Sequence, residues 1–256
     1  MSPEKFASAV ALAVFAAGAV GLFLQNLLPE KFTTGGPRDM IGAVVGLLTL
    51  LSALVLGLLI WTAYGVYSGQ NLAVQTLAAK DLQLDLALAD YGPDATPLRA
   101  HIREEIGKTI DQIWRADASD LNFVADNFAG AVQNQRSRQA GLEKLHPTTD
   151  DQKQALASAR SAIDAIAQSR LQMSFALTDP VSYPLVVVVV AWAAFLFCGF
   201  GLMSKGNAMS VAAGAVGALA ISSAVYLILD LSDPYSGVFR ASPAPLEQVL
   251  AVMGKE

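Results

Sequence analysis

The chain has 256 residues, 54% of them hydrophobic and only 15% charged, with a mean hydropathy of +0.44. A soluble domain carries about 25% charged residues, so this balance excludes an ordinary soluble protein and predicts a membrane protein. The formal net charge of −5 argues against a general nucleic-acid partner, whose phosphates it would repel.

Four apolar runs, approximately Ala7–Leu28, Met40–Tyr64, Tyr183–Met203 and Met209–Leu229, contain no Lys, Arg, Asp or Glu. Each is long enough to cross a hydrocarbon core of about 30 Å at about 1.5 Å per helical residue. Lipid admits only helices or closed barrels, because backbone polar groups find no water there. The expected fold is therefore all-α, with four transmembrane helices. The small residues of "FAAGAVG" in the first run resemble a cleavable signal, but its apolar core exceeds the usual length of about 7 to 15 residues. With a second run close behind, it is read as a true span.

In the second run Gly42, Gly46, Thr49, Ala53 and Gly57 recur every three or four residues and put small side chains on one helix face. Such a stripe permits close helix packing, or it lines an oligomer axis where small, weakly polar groups leave room for an ion or water path. The first and fourth runs are also rich in Ala and Gly, including Gly214 and Gly217.

Between the second and third runs lies a polar stretch that predicts a helical bundle. Helix-forming sequence continues from the second run to a break at Gly92-Pro93, so one long helix should leave the membrane. Within it "LQLDLALA" alternates as a strand would, but the surrounding sequence is helical. Leu98, Ile102, Ile106, Ile110 and Ile113 then form one amphipathic stripe, and Leu121, Val124, Phe128 and Val132 a less regular one. After His146-Pro147, Thr148 or Thr149 can cap a third helix with the stripe Leu156, Ala159, Ile163, Ile166 and Met173. The division predicted is a helix pair in 1–64, the bundle in 65–180, a second helix pair in 181–230, and a C-terminal turn with a short amphipathic segment in 231–256.

At the end of the fourth run, Asp230 and Asp233 are expected where the helix meets headgroups and water, so both stay ionised at little cost. Pro234 ends the helix, Tyr235 suits the interface, and the turn through Gly237 sends the chain back toward the surface or the bundle, where Ser242 can cap a short helix. Anchoring is the favoured role for this turn, ahead of an ion or partner site.

Catalytic chemistry is missing. The chain has only His101 and His146, a single cysteine, Cys198, inside the third run, and no His-Glu-x-x-His, paired-cysteine or glycine-rich phosphate motif. Nothing assembles a nucleophile with its base or a metal centre, and the reading is a non-enzyme without metal or cofactor. Because no span holds an ionisable group at depth, proton- or sodium-coupled transport is disfavoured. The amino terminus, bundle and carboxyl terminus share one side of the membrane. Lys5, Lys80, Arg170 and Arg240 on that side nearly balance Lys31, Arg38 and Lys205 opposite, and a cytoplasmic bundle is taken because long acidic translocated domains are the less common arrangement.

Three stretches, "LPEKF", "YSGQNLAVQTLAAKDLQLDLALADYGPD" followed by "IDQIWRAD", and "LILDLSDPYSGVFRASPAPLEQVL", resemble the bacterial bestrophin-like membrane proteins. The resemblance implies kinship with bestrophins, which are oligomeric anion channels with four membrane helices per subunit and a pore lined by the second. No stretch matches a bestrophin neck or calcium clasp. The expected function is a homo-oligomeric, anion-conducting channel in the lipid bilayer of the bacterial inner membrane. The alternative is a membrane-anchored scaffold whose bundle binds a protein partner.

Overall fold

The structure, a computed structural model, describes residues 3–29, 35–115, 123–176, 183–204, 206–235 and 237–253. The regular elements among them are helical: α1 (Pro3–Leu27), α2 (Gly36–Tyr91), a 3-10 turn (Pro93–Ala95), α3 (Thr96–Ile110), a π-helical turn (Asp111–Arg115), α4 (Phe123–Glu143), α5 (Asp150–Ala176), α6 (Tyr183–Met203), α7 (Ala208–Leu231) and α8 (Ala244–Met253). α1, α2, α6 and α7 are long and apolar enough to cross a membrane. The chain divides into a membrane unit, Met1–Gly65 with Val181–Ser232, and a bundle unit, Val66–Pro180 with Asp233–Glu256.

In the membrane unit α1 packs along α6 and α7. Small residues decide the first contact. A Cβ at Gly21 would strike the backbone of Cys198, and one at Gly201 would strike the backbone of Gly18 and Leu22, so these two helices touch main chain to main chain. α2 reaches α6 through Val45, which fills the space beside Gly199. The Ser222 hydroxyl donates to the Ala7 carbonyl at 2.7 Å, and so satisfies a polar group that lipid could not. Asn207 caps α7 by accepting from the Ser210 N–H at 2.8 Å.

The bundle core draws on Leu77, Leu84 and Leu88 of α2, the stripes of α3 and α5, and Leu246, Val249 and Met253 of α8. Leu84 and Leu88 are fully buried while Leu86 is 49% exposed, which a strand could not do with alternate residues on one face. α2 ends where Gly92 takes a φ of 109°, a conformation that favours glycine, immediately before Pro93. α5 begins in a capping box: the Gln152 N–H donates to Thr149 Oγ1 at 3.2 Å, and Gln152 Oε1 accepts from the Thr149 N–H at 3.4 Å and from the Thr148 N–H at 2.8 Å. Of the second predicted stripe, Val132 is half-buried; Leu121 lies outside the described residues, and Val124 and Phe128 outside the described side chains. Lys31 and Lys205 also lie outside the described residues.

Candidate functional site

Three faces run along the membrane part of α2. Val45, Ser52, Leu59 and Ala63 are buried. Leu47, Leu50, Leu54, Leu58 and Trp61 are exposed and bulky, as lipid or an apolar neighbour requires. The small-residue stripe lies between them, about 100° around the helix from each at about 100° per residue. Gly46, Thr49, Ala53 and Gly57 are exposed and Gly42 is half-buried. A Cβ at Gly46 or Gly57 would meet nothing within 4 Å, whereas one at Gly42 would come within 3.2 Å of the Met203 methyl. Thr49 Oγ1 donates to the Val45 carbonyl at 2.8 Å, which leaves the helix surface without a free hydroxyl proton at that point. The stripe thus plays little part in packing within one chain. The tight contact between small residues belongs to α1 and α6 instead.

The turn after α7 departs from expectation at two residues. Asp230 is only 1% exposed, and residues 228–232 are buried in unbroken succession, so the last turn of α7 is enclosed by protein rather than open to water. The Tyr226 hydroxyl lies 3.3 Å from Asp230 Oδ1. Asp233 is half-buried, Pro234 is buried and Gly237 is exposed with a φ of 76°. Tyr235 does not sit in an interface with its hydroxyl in water. It is a core residue of the bundle unit: its hydroxyl donates to Gln70 Oε1 at 2.9 Å, and Gln70 Nε2 donates to the Met173 carbonyl at 3.2 Å. Its ring meets Trp114 edge-on, with centroids 5.8 Å apart. The loop that carries it inward is closed by the Ala241 N–H donating to the Pro234 carbonyl at 2.7 Å, and Trp114 Nε1 donates to the Ala241 carbonyl at 2.6 Å. Burial raises the Tyr235 phenol above its ordinary range. Ser242 accepts from the Ala244 N–H at 3.2 Å at the start of α8.

A buried ionic cluster lies in the bundle, and hydrophobic periodicity alone gave no notice of it. Arg138 of α4, 2% exposed, donates through Nη1 to Asp81 Oδ1 of α2 and through Nε to Glu105 Oε2 of α3, both at 2.9 Å. Burial works against the Arg138 charge, but the two carboxylates outweigh it and hold the guanidinium above the usual arginine range. Nearby, Arg99 grips Asp85 with two hydrogen bonds of 2.8 Å. Arg170 of α5 donates to Thr109 Oγ1 at 2.9 Å; burial, and then repulsion from Arg138, holds its guanidinium below the usual range, with Asp81 and Glu105 acting the other way. His101 Nε2 lies 2.7 Å from Ser137 Oγ and 3.2 Å from Glu105 Oε1. A signal was present: Asp81 and Asp85 share a helix face with Leu77, Leu84 and Leu88, and Glu105 interrupts the Ile102–Ile106 stripe. A carboxylate at a core position demands a cation. No group of three or more His, Cys, Asp or Glu with metal-binding geometry occurs among the described residues.

These features define a four-span helical membrane protein whose described polar clusters tie helices together. The sequence model of the bestrophin-like domain matches residues 10–246, and the chain belongs to that family. Its fold is similar to that of a bacterial bestrophin homolog from Klebsiella pneumoniae. A crystal structure of that protein with an isoleucine-to-threonine substitution matches with a TM-score of 0.61 at 14% identity, covering 96% of this chain and 98% of the other. Another, with a tryptophan-to-alanine substitution, matches with a TM-score of 0.57 at 14% identity, covering 99% and 97%. A search of curated proteins finds no match.

Proposed function

We propose that the protein is a homo-oligomeric channel that conducts anions, with α2 of each subunit around the central axis. The observation that carries this reading is the exposed small-residue face of α2, from Gly46 to Gly57, in a chain of the bestrophin-like family. A face with no neighbour near its Gly46 and Gly57 positions, set apart from the bulky apolar face, suits a surface that turns toward other subunits and a narrow water path. No carboxylate lies on the stripe, so nothing there repels an anion. The scarcity of catalytic groups fits a protein that is not an enzyme. The membrane is taken to be the bacterial inner membrane, with the bundle and both termini on the cytoplasmic side.

Reconstitution into liposomes tests the reading. A chloride gradient should dissipate through the protein while a potassium gradient persists. Absence of flux for both ions from a well-folded oligomer would sink the channel reading and leave the scaffold alternative.

A further inference from the structure

The Arg170 guanidinium has an unusual position. The two carboxylates nearest the ionic cluster are engaged elsewhere: Asp81 and Glu105 each hold Arg138 at 2.9 Å, and the second oxygen of Glu105 faces His101 at 3.2 Å. Among the described residues no carboxylate lies within 4.0 Å of Arg170, and the hydrogen bond described for it is that to Thr109. Thr109 in turn donates its own proton to the Glu105 carbonyl at 2.8 Å. A guanidinium carries five N–H donors, and among the described residues only the bond to Thr109 engages those of Arg170.

Arg170 lines a cavity of about 50 Å³ in the bundle unit, together with Gln112 and Asn134 and apolar walls that include Leu77 and Met173. A water needs roughly 10–15 Å³ by a comparable measure, so the space suits one small anion rather than a metabolite. Among the described residues no Asp or Glu lines this cavity, and Gln112 and Asn134 can both turn N–H groups toward it. A wider cleft of about 430 Å³ shares Thr109, Gln112, Gly130 and Asn134 with the cavity, and both Lys108, 67% exposed, and Glu105, already held by Arg138, stand on its lining. The charges of the cluster itself balance, two guanidinia against two carboxylates. What is unbalanced among the described residues is hydrogen bonding, because both carboxylates hold Arg138 while Arg170, bonded to Thr109, lines the cavity.

We propose that Arg170, together with the Gln112 and Asn134 amides, binds one small monovalent anion, a halide or a small carboxylate, within the helical bundle. The site lies outside the membrane spans and does not depend on the channel reading. An anion seated there receives charge-assisted hydrogen bonds from the guanidinium and neutral ones from the amides, and it links the π-helical turn to α4 and α5.

Thermal unfolding of the full chain in detergent decides the matter, with sodium chloride or sodium formate titrated against sodium gluconate at constant ionic strength. Gluconate is too large for the cavity. The wild-type midpoint should rise saturably with chloride, formate or both, and at tenfold the half-saturating concentration the folding equilibrium should favour the native state about elevenfold more than in its absence. Which anion acts identifies the class. Arg170→Gln and Asn134→Leu should abolish the rise. Asn134→Leu keeps every charge in place, so it alone decides the question should Arg170→Gln fail to fold. An unchanged midpoint in the wild type, or an equal rise in wild type and Asn134→Leu, overturns the proposal. Because unfolding rather than flux is read, such a failure says nothing against conduction.

Discussion

Arg138 carries the largest residue-scale consequence. A buried ion pair adds little net stability over apolar residues of the same volume, yet removing one partner leaves charges without compensation. Arg138→Met strands both Asp81 and Glu105, and the bundle should lose about 3–5 kcal/mol. Denaturant unfolding followed by Trp114 fluorescence would measure it, since that indole is held by the Ala241 carbonyl. Replacing Asp81, Glu105 and Arg138 together by apolar residues should recover most of the loss. Tyr235 gives a pH-dependent counterpart. Its raised phenol pKa means that the folded state keeps its proton while the unfolded chain releases it above about pH 10. Stability from this group is therefore complete below that pH and drains away as pH climbs toward the folded value. Tyr235→Phe should flatten the alkaline limb of a stability-against-pH curve, and at neutral pH it should cost about 1–3 kcal/mol by leaving Gln70 Oε1 without its donor.

At the scale of elements, two sets of glycines in the membrane unit serve different contacts. Gly21 and Gly201 let α1 and α6 meet backbone to backbone, so a side chain at either site forces the helices apart. Gly46 and Gly57 have open space beside them within the chain. Gly21→Leu should destabilise the folded subunit itself, with overpacking of about 1–3 kcal/mol or more because the obstacle is main chain. Gly46→Leu and Gly57→Leu should leave subunit stability intact and instead weaken assembly or block flux. Val44→Leu, on an exposed and already apolar position, is the control and should change neither. Size-exclusion chromatography in detergent, thermal unfolding and liposome flux on the four variants separate these outcomes. Equal oligomer yield and equal flux for Gly46→Leu, Gly57→Leu and Val44→Leu would place the stripe against lipid and end its assignment to the axis.

For the whole molecule, the long α2 contributes residues to both the membrane unit and the bundle unit. The proposed cytoplasmic bundle has a direct check. Gln248 of α8 is exposed, so a cysteine there should react with a membrane-impermeant maleimide only after cells are permeabilised, whereas the native Cys198 lies within a span. Labelling of Gln248→Cys in intact cells would reverse the orientation.

The membrane class, the four spans and the helical nature of the bundle were legible in the sequence, because each depends on a local property. Twenty uncharged apolar residues leave the backbone one conformation in lipid, and a stripe at Ile102, Ile106 and Ile110 has one face to bury. The break at Gly92-Pro93 and the cap at Thr149 were legible for the same reason. Tertiary structure alone decided the rest. Which glycines permit close contact depended on which helices meet, and that put the tight pair on α1 and α6. Asp230 and Tyr235 read as residues of a membrane exit, since nothing local distinguishes a turn that opens to water from one that folds into a core. Arg138 lies 57 positions from Asp81 and 33 from Glu105, and Arg170 lies 61 from Thr109. Pairings over such distances are fixed only once the helices pack, because a charge in a sequence does not say which other charge will accompany it out of water.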